Sequence, residues 1–196
     1  MTVPATPAEP AAPVPSADLW KPVLTRAGVA LVFGAVTIFW TQPSVLVLGG
    51  AGGLYLVATG LALLWSVRKT GFSRVELPGR LLAAGPSIMT GAGVALLFLP
   101  EDLMFGVFAA VALTVVGAVE LYVGIRYRRH PLGRDWAISG VIGVGTAVAL
   151  PFFISLGAHA LLGVAGGGAI ISGVLWILAG LTLRYDARAV SAKAVN

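Results

Sequence analysis

Long apolar stretches, with Glu120 as their one charged residue, restrict what this chain can fold into. They cover residues 27–40, 45–67, 81–99, 103–125, 136–153 and 158–183. A helix needs roughly 20 apolar residues to cross a bilayer core about 30 Å thick. Because 58% of the 196 residues are hydrophobic and only 11% are charged, the chain is far more apolar than a soluble domain of this length. We therefore predict an all-α integral membrane protein with six transmembrane helices, the first extended to include residues 22–26.

The basic residues predict how these helices are oriented. All thirteen Lys and Arg lie near the termini or the alternate connections, whereas the connections at 41–44, 100–103 and 155–159 contain none. By the positive-inside rule, both termini then lie in the cytoplasm and the chain is a multi-pass protein of the inner cell membrane. The same cations should contact anionic lipid headgroups of the bilayer. Without an aromatic-rich basic surface or a known module, we expect no nucleic-acid partner.

The prolines and charges set the domain limits. Residues 1–19 carry five prolines and lack the features of a signal peptide, which predicts a disordered Pro/Ala-rich cytoplasmic tail. Residues 20–188 form the membrane domain, and residues 189–196 a short cytoplasmic tail. The first tail is a solvated tether or, as the alternative, a polyproline segment that docks on a partner.

Internal repeats predict the arrangement within the membrane domain. A shift of 57 places Gly60 on Gly117 and Lys69 on Arg126, and a further shift of 56 places Gly117 on Gly173. The repeats cover about 20–76, 77–133 and 134–188. Since each contains two crossings, we predict three parallel helical hairpins around a pseudo-threefold axis.

Glycines are abundant inside the apolar stretches, with 26 in the chain. Because backbone groups in a membrane must bond within their own helix, these stretches predict close helix packing rather than a phosphate-binding turn. The glycines predicted to lie at such contacts are Gly50, Gly53, Gly60, Gly117, Gly163, Gly166 and Gly173.

The layout resembles a known family. Three tandem two-helix units have glycines in both helices, basic connectors, and a proline in each outer turn, within "FWTQPSVL", "LFLPEDLM" and "ALPFFISL". This pattern is similar to the HdeD family of small bacterial membrane proteins, and the resemblance spans residues 20–188. It implies an inner-membrane protein of stress response and acid resistance, with no defined reaction and no catalytic motif. The proline-rich tail and Pro151, five places before its repeat position, depart from the pattern.

Glu120 is the exceptional residue, because it lies inside an apolar stretch. It precedes Arg126 by six residues, or about 9 Å at the helical rise per residue. A carboxylate at that depth needs a partner or water, and Arg26 lies at a comparable depth. Two roles stay open: an ion pair that pins two helices together, or a protonatable group exposed to the cytoplasmic side. Because Glu120 aligns with Leu63 and Trp176 in the other repeats, it is not part of a threefold ring.

Other titratable groups are few. His159, Glu101 and Asp102 lie on the predicted outer face and are candidates for a pH sensor. The two histidines fall on opposite sides, cysteine is absent, and the hydroxyls lack a positioned base, so we expect no enzyme, no metal and no cofactor.

These observations favour one function class over another. The first is a non-enzymatic membrane protein of stress or acid-resistance type, or an accessory subunit, as a homo-oligomer or in a larger membrane complex. The alternative is a small channel or transporter for protons or a small solute.

Overall fold

The computed structural model describes residues 12–193, with side chains to residue 190. It is all-helical over that range. The helices are α1 (Trp20–Phe39), α2 (Val45–Val67), α3 (Leu77–Phe98), α4 (Asp102–Arg126), α5 (Gly133–Ala149), which continues into a 3₁₀ segment (Leu150–Leu156), and α6 (Ala158–Lys193). Six helical spans within these residues are long and apolar enough to cross a membrane, which confirms the predicted number. Most of the predicted first tail, residues 1–11, and the last three residues lie outside the described range.

The helix bounds differ from the apolar stretches most notably at the ends of α5 and α6. The C-terminal end of α5 tightens into the 3₁₀ segment, in which Pro151 lies in the first turn and after which Gly157 takes a left-handed φ of 80°. This extra segment accounts for the early position of Pro151. Helix α6 runs 36 residues, well past the predicted end at residue 183, because the polar sequence that follows continues the same helix.

The six helices form a closed ring. Each contacts the next along the chain and α6 contacts α1. The most extensive contacts join α2 to α3, α4 to α5 and α6 to α1. In the α4/α5 contact a Cβ at Gly117 would lie 2.9 Å from the Gly140 carbonyl oxygen, and one at Gly140 would lie 2.6 Å from that of Gly117. A side chain at either position would therefore push the two backbones apart.

The predicted packing glycines divide into two groups. Five of them lie where an added Cβ would meet a neighbouring helix within 3 Å: Gly53, Gly60, Gly117, Gly166 and Gly173. The prediction is wrong for Gly50 and Gly163, because no described atom lies within 4 Å of a Cβ placed there. Both lie beside the contact face of their helix instead of on it.

Two hydrophobic clusters fill the interior. One includes Leu48, Leu96 and Phe105, toward the short connections that lack Lys and Arg. The other includes Val67, Leu132 and Trp136, toward the basic connectors. On the side of the basic connectors, the segment before α1 is joined to the α2–α3 connector by a hydrogen bond of 2.8 Å from Ser16 N–H to the Lys69 carbonyl oxygen.

Candidate functional site

The structure brings Arg26 and Glu120 together between the two hydrophobic clusters. Arg26 Nη1 donates to Glu120 Oε1, and Nη2 donates to Oε2 at 3.3 Å, so the guanidinium forms a bidentate ion pair with the carboxylate. Only 2% of Glu120 is exposed. Because α1 begins at Trp20, Arg26 lies within the helix, on the face that also buries Val23 and Ala27. A paired, bidentate geometry is how a protein accommodates charges away from water.

Two further helices hold the guanidinium in place. Ser139 Oγ on α5 lies 3.3 Å from Arg26 Nη2 and accepts a hydrogen bond. The indole of Trp176 on α6 lies under the guanidinium, with the ring centroid 4.4 Å from Cζ, a cation–π contact. Helices α1, α4, α5 and α6 therefore meet at one cation, and the central group is fixed from several directions.

Two small cavities adjoin Glu120. The central cavity encloses about 30 Å³ and is lined by residues of all six helices, including Thr59, Ser172 and Trp176. A second cavity of about 20 Å³ extends from Glu120 toward the basic connectors, past Ser66 and Thr70. Glu120 thus lines both spaces, which are large enough for only one or two water molecules each.

The predicted outer-face residues do not form a comparable site. Glu101 and His159 are exposed, and Asp102 lies in the first turn of α4, with Oδ2 3.8 Å from where a Cβ of Gly157 would lie. Among the described residues no ion pair joins the three. Their role as a pH sensor stays a prediction.

His130 is a second buried polar residue, which the sequence analysis did not single out. It lies in the α4–α5 connector with 2% of its surface exposed. Leu132 N–H donates to Nδ1 at 3.1 Å, so the proton is on Nε2, which lies 3.1 Å from the Thr70 carbonyl oxygen. The ring stacks on Trp136 and Phe72, at centroid distances of 4.6 and 5.6 Å. Burial lowers the pKa of the imidazole below its usual value of 6.5.

The imidazole of His130 therefore joins two basic connectors, α2–α3 and α4–α5, as a neutral group. A signal for this role was weak in the sequence, because a lone histidine next to arginines is typical of a solvated loop. Only the three-dimensional approach of Thr70 and Phe72 reveals it.

Among the described residues no group of three or more His, Asp or Glu could hold a metal ion. The comparisons with known proteins add no identification: no family model matches the chain, and neither a curated protein nor a solved structure is detectably similar to it. The site must therefore be interpreted from its own geometry.

Proposed function

We propose that the chain is a multi-pass protein of a bacterial cytoplasmic membrane, with both termini in the cytoplasm. The outward faces of the helices support insertion, since large apolar side chains there are more than half exposed. Examples are Val32, Leu54, Val141 and Leu178. A soluble protein rarely exposes so continuous an apolar surface, whereas lipid tails would cover it. The positive-inside pattern of the charges supports the orientation.

The proposed membrane domain consists of three parallel hairpin repeats around a pseudo-threefold axis. Gly60, Gly117 and Gly173, which the repeat alignment equates, each lie on the second helix of a unit and contact the first helix of the next. Added Cβ atoms there would lie 2.8 Å from the Pro86 carbonyl oxygen, 2.9 Å from that of Gly140 and 3.4 Å from that of Ala27. Equivalent positions with equivalent contacts support a common origin for the three units.

The function that the geometry supports best is that of a non-enzymatic scaffold. The observation that carries it is the enclosed Arg26–Glu120 pair. Both charged groups are saturated by each other and by Ser139 and Trp176, and this leaves space for only a water or two beside them. Such a pair fixes how helices meet and offers no room for a substrate. With the resemblance to the HdeD family, this favours a stress or acid-resistance protein, or an accessory subunit of a membrane complex.

Purification of the tagged protein from its native membrane in mild detergent tests the accessory role. We expect a stoichiometric membrane partner or a defined homo-oligomer by native mass spectrometry. Deletion of the gene should also reduce survival in acid. The proposal would be contradicted if the purified protein were a monomer without a partner and the deletion strain survived acid as well as its parent.

A second candidate function is a small channel or transporter for protons, and one observation favours it. Glu120 lines both cavities, so it has a small space toward the basic connectors and another toward the centre. Beyond the centre, however, the outer half of the bundle is packed with apolar residues such as Leu48, Leu96 and Phe105. That packing favours the scaffold.

Reconstituted vesicles separate the two functions. Interior pH is followed with a trapped dye after an external acid pulse, for the wild type, Glu120→Gln and protein-free vesicles. The scaffold predicts equal, background-level proton entry in all three. Proton entry in the wild type that is lost in Glu120→Gln would establish the channel instead.

A further inference from the structure

The central cavity contains two polar atoms whose hydrogen-bonding capacity the protein does not meet. Thr59 Oγ1 and Trp176 Nε1 are buried, and neither makes a hydrogen bond of ordinary length and angle with another described residue. The Tyr55 side chain, which lines the same cavity, interacts with the Thr59 side chain. Thr59 and Trp176 both line the cavity, and their exposed fractions are only 3% and 1%. Buried polar groups in folded proteins nearly always have a partner, either protein or ordered water.

Thr59 departs from the usual behaviour of a helical threonine in this bundle. Thr90 and Thr146 donate to the carbonyls of Pro86 and Ile142 one turn earlier, each at 2.9 Å. Such a bond satisfies the hydroxyl within its own helix. The Thr59 hydroxyl makes no such bond within its helix and lies on the cavity wall beside Tyr55.

The size and charge of the cavity restrict its occupant. About 30 Å³ suffices for one or two water molecules and excludes larger molecules. Arg26 and Glu120 neutralise each other at the wall, so the site has no net charge that would select an ion. Trp176 Nε1 can only donate, whereas a threonine hydroxyl can donate or accept. Water, which both accepts and donates, matches this set of partners.

We propose that the centre of the bundle is a binding site for one or two ordered water molecules, held by Trp176 Nε1 and Thr59 Oγ1 beside Glu120. Trp176 donates to the water and Thr59 completes its hydrogen bonds. The proposed water site goes beyond the scaffold function, because it places water at the centre of the bundle, where the six apolar helices meet. The buried ion pair then borders water on its central side.

Thr59→Val tests the proposal, since valine keeps the volume and removes the hydroxyl. If the hydroxyl binds water, the loss of that partner lowers the melting temperature of the detergent-solubilised protein. If the hydroxyl faces a dry cavity, its removal relieves a buried unpaired group and the melting temperature rises. Thr146→Val is the matched control, because that hydroxyl bonds within its own helix. A Thr59→Val melting temperature equal to or above that of the wild type would overturn the proposal.

X-ray hydroxyl-radical footprinting of the full-length protein in detergent tests the water site independently, by measuring the oxidation of side chains that line the cavity. Radicals formed from bound water should oxidise Trp176 and Met89, which line the cavity. When the protein is mixed rapidly into ¹⁸O water before irradiation, the oxygen added to Trp176 and Met89 should remain ¹⁶O for longer than the oxygen added to exposed residues. We expect Thr59→Val to reduce oxidation of Trp176 at least twofold. Absence of oxidation at both residues in the wild type, or immediate incorporation of ¹⁸O, would contradict an enclosed water site.

Discussion

At the scale of single residues, the interior polar groups of this protein are few and each has a specific environment. Arg26 and Glu120 saturate each other, and His130 is held as a neutral ring by one donor and one acceptor. Buried groups of this kind have large effects when altered, because removing one partner leaves the other polar or charged group buried without it.

His130 should make stability depend on pH. Its pKa is lowered in the folded protein, so between the folded and unfolded pKa values the unfolded chain binds more protons, and stability falls as pH falls. A proton on Nδ1 would also abolish the hydrogen bond from Leu132. We expect the wild-type melting temperature to decline as pH is lowered from about 7.5 to about 5.5, through the unfolded pKa near 6.5.

His130→Phe keeps an aromatic ring in the stack and removes the titration, so its melting temperature should change less over the same pH range. His159→Gln is the control, because His159 is exposed and its replacement should leave the wild-type slope unchanged. Equal slopes for the wild type and His130→Phe would contradict this role for His130.

The ion pair was predictable from the sequence, but most of its surroundings were not. Glu120 stood out as a carboxylate in an apolar stretch, and Arg26 was the cation at its depth. Ser139 and Trp176 were missed, because helices that are apolar all round give no sign of which face turns inward. The repeat alignment held a partial signal, since it places Trp176 at the position of Glu120.

At the scale of helices, close backbone approach is the main packing device. Helix α4 meets α5 where Gly117 faces Gly140, and a Cβ added to either glycine would lie within 3 Å of the other's carbonyl oxygen. In a membrane no hydrophobic effect drives helices together, so such contacts contribute van der Waals attraction that a larger residue removes.

Gly117→Ala should therefore destabilise the protein by about 1–3 kcal/mol, the usual cost of overpacking a close contact. Gly50→Ala is the matched control, because no described atom lies within 4 Å of the added Cβ. Thermal unfolding in one detergent compares the two variants. If Gly117→Ala were as stable as Gly50→Ala, the α4/α5 contact would not depend on glycine.

The helices themselves followed from the sequence with little ambiguity. Helix α2 spans the predicted residues 45–67, since its apolar stretch is bounded by the Ser44 cap and by Arg68. The glycine contacts were predicted less completely. Gly50 and Gly163 lie in the same glycine-rich stretches as Gly53 and Gly166, so the sequence does not distinguish them from glycines at helix contacts. The rotation of each helix about its axis, which decides this, depends on long-range packing.

At the scale of the whole molecule, the proposed orientation in the membrane rests on the distribution of the basic residues. The chain has no cysteine, so single cysteines can be introduced without a background. Thr41 and Ser73 are both exposed and lie in connections of opposite predicted sides.

We expect a membrane-impermeant maleimide to label Thr41→Cys in intact cells and to leave Ser73→Cys unlabelled until the membrane is permeabilised. The two variants control for each other in expression and reactivity. Labelling of Ser73→Cys in intact cells, with protection of Thr41→Cys, would reverse the proposed topology.

The central claim is that the Arg26–Glu120 pair is a structural link between α1 and α4. A double-mutant cycle with Arg26→Met, Glu120→Met and the double variant tests it by thermal unfolding. Each single change leaves one buried charge without its partner and should cost about 3–5 kcal/mol, whereas apolar replacement of both is often close to neutral. We predict two strongly destabilised single variants and a double variant close to the wild type. Two single variants as stable as the wild type, or a double variant whose loss equals the sum of the single losses, would contradict the account.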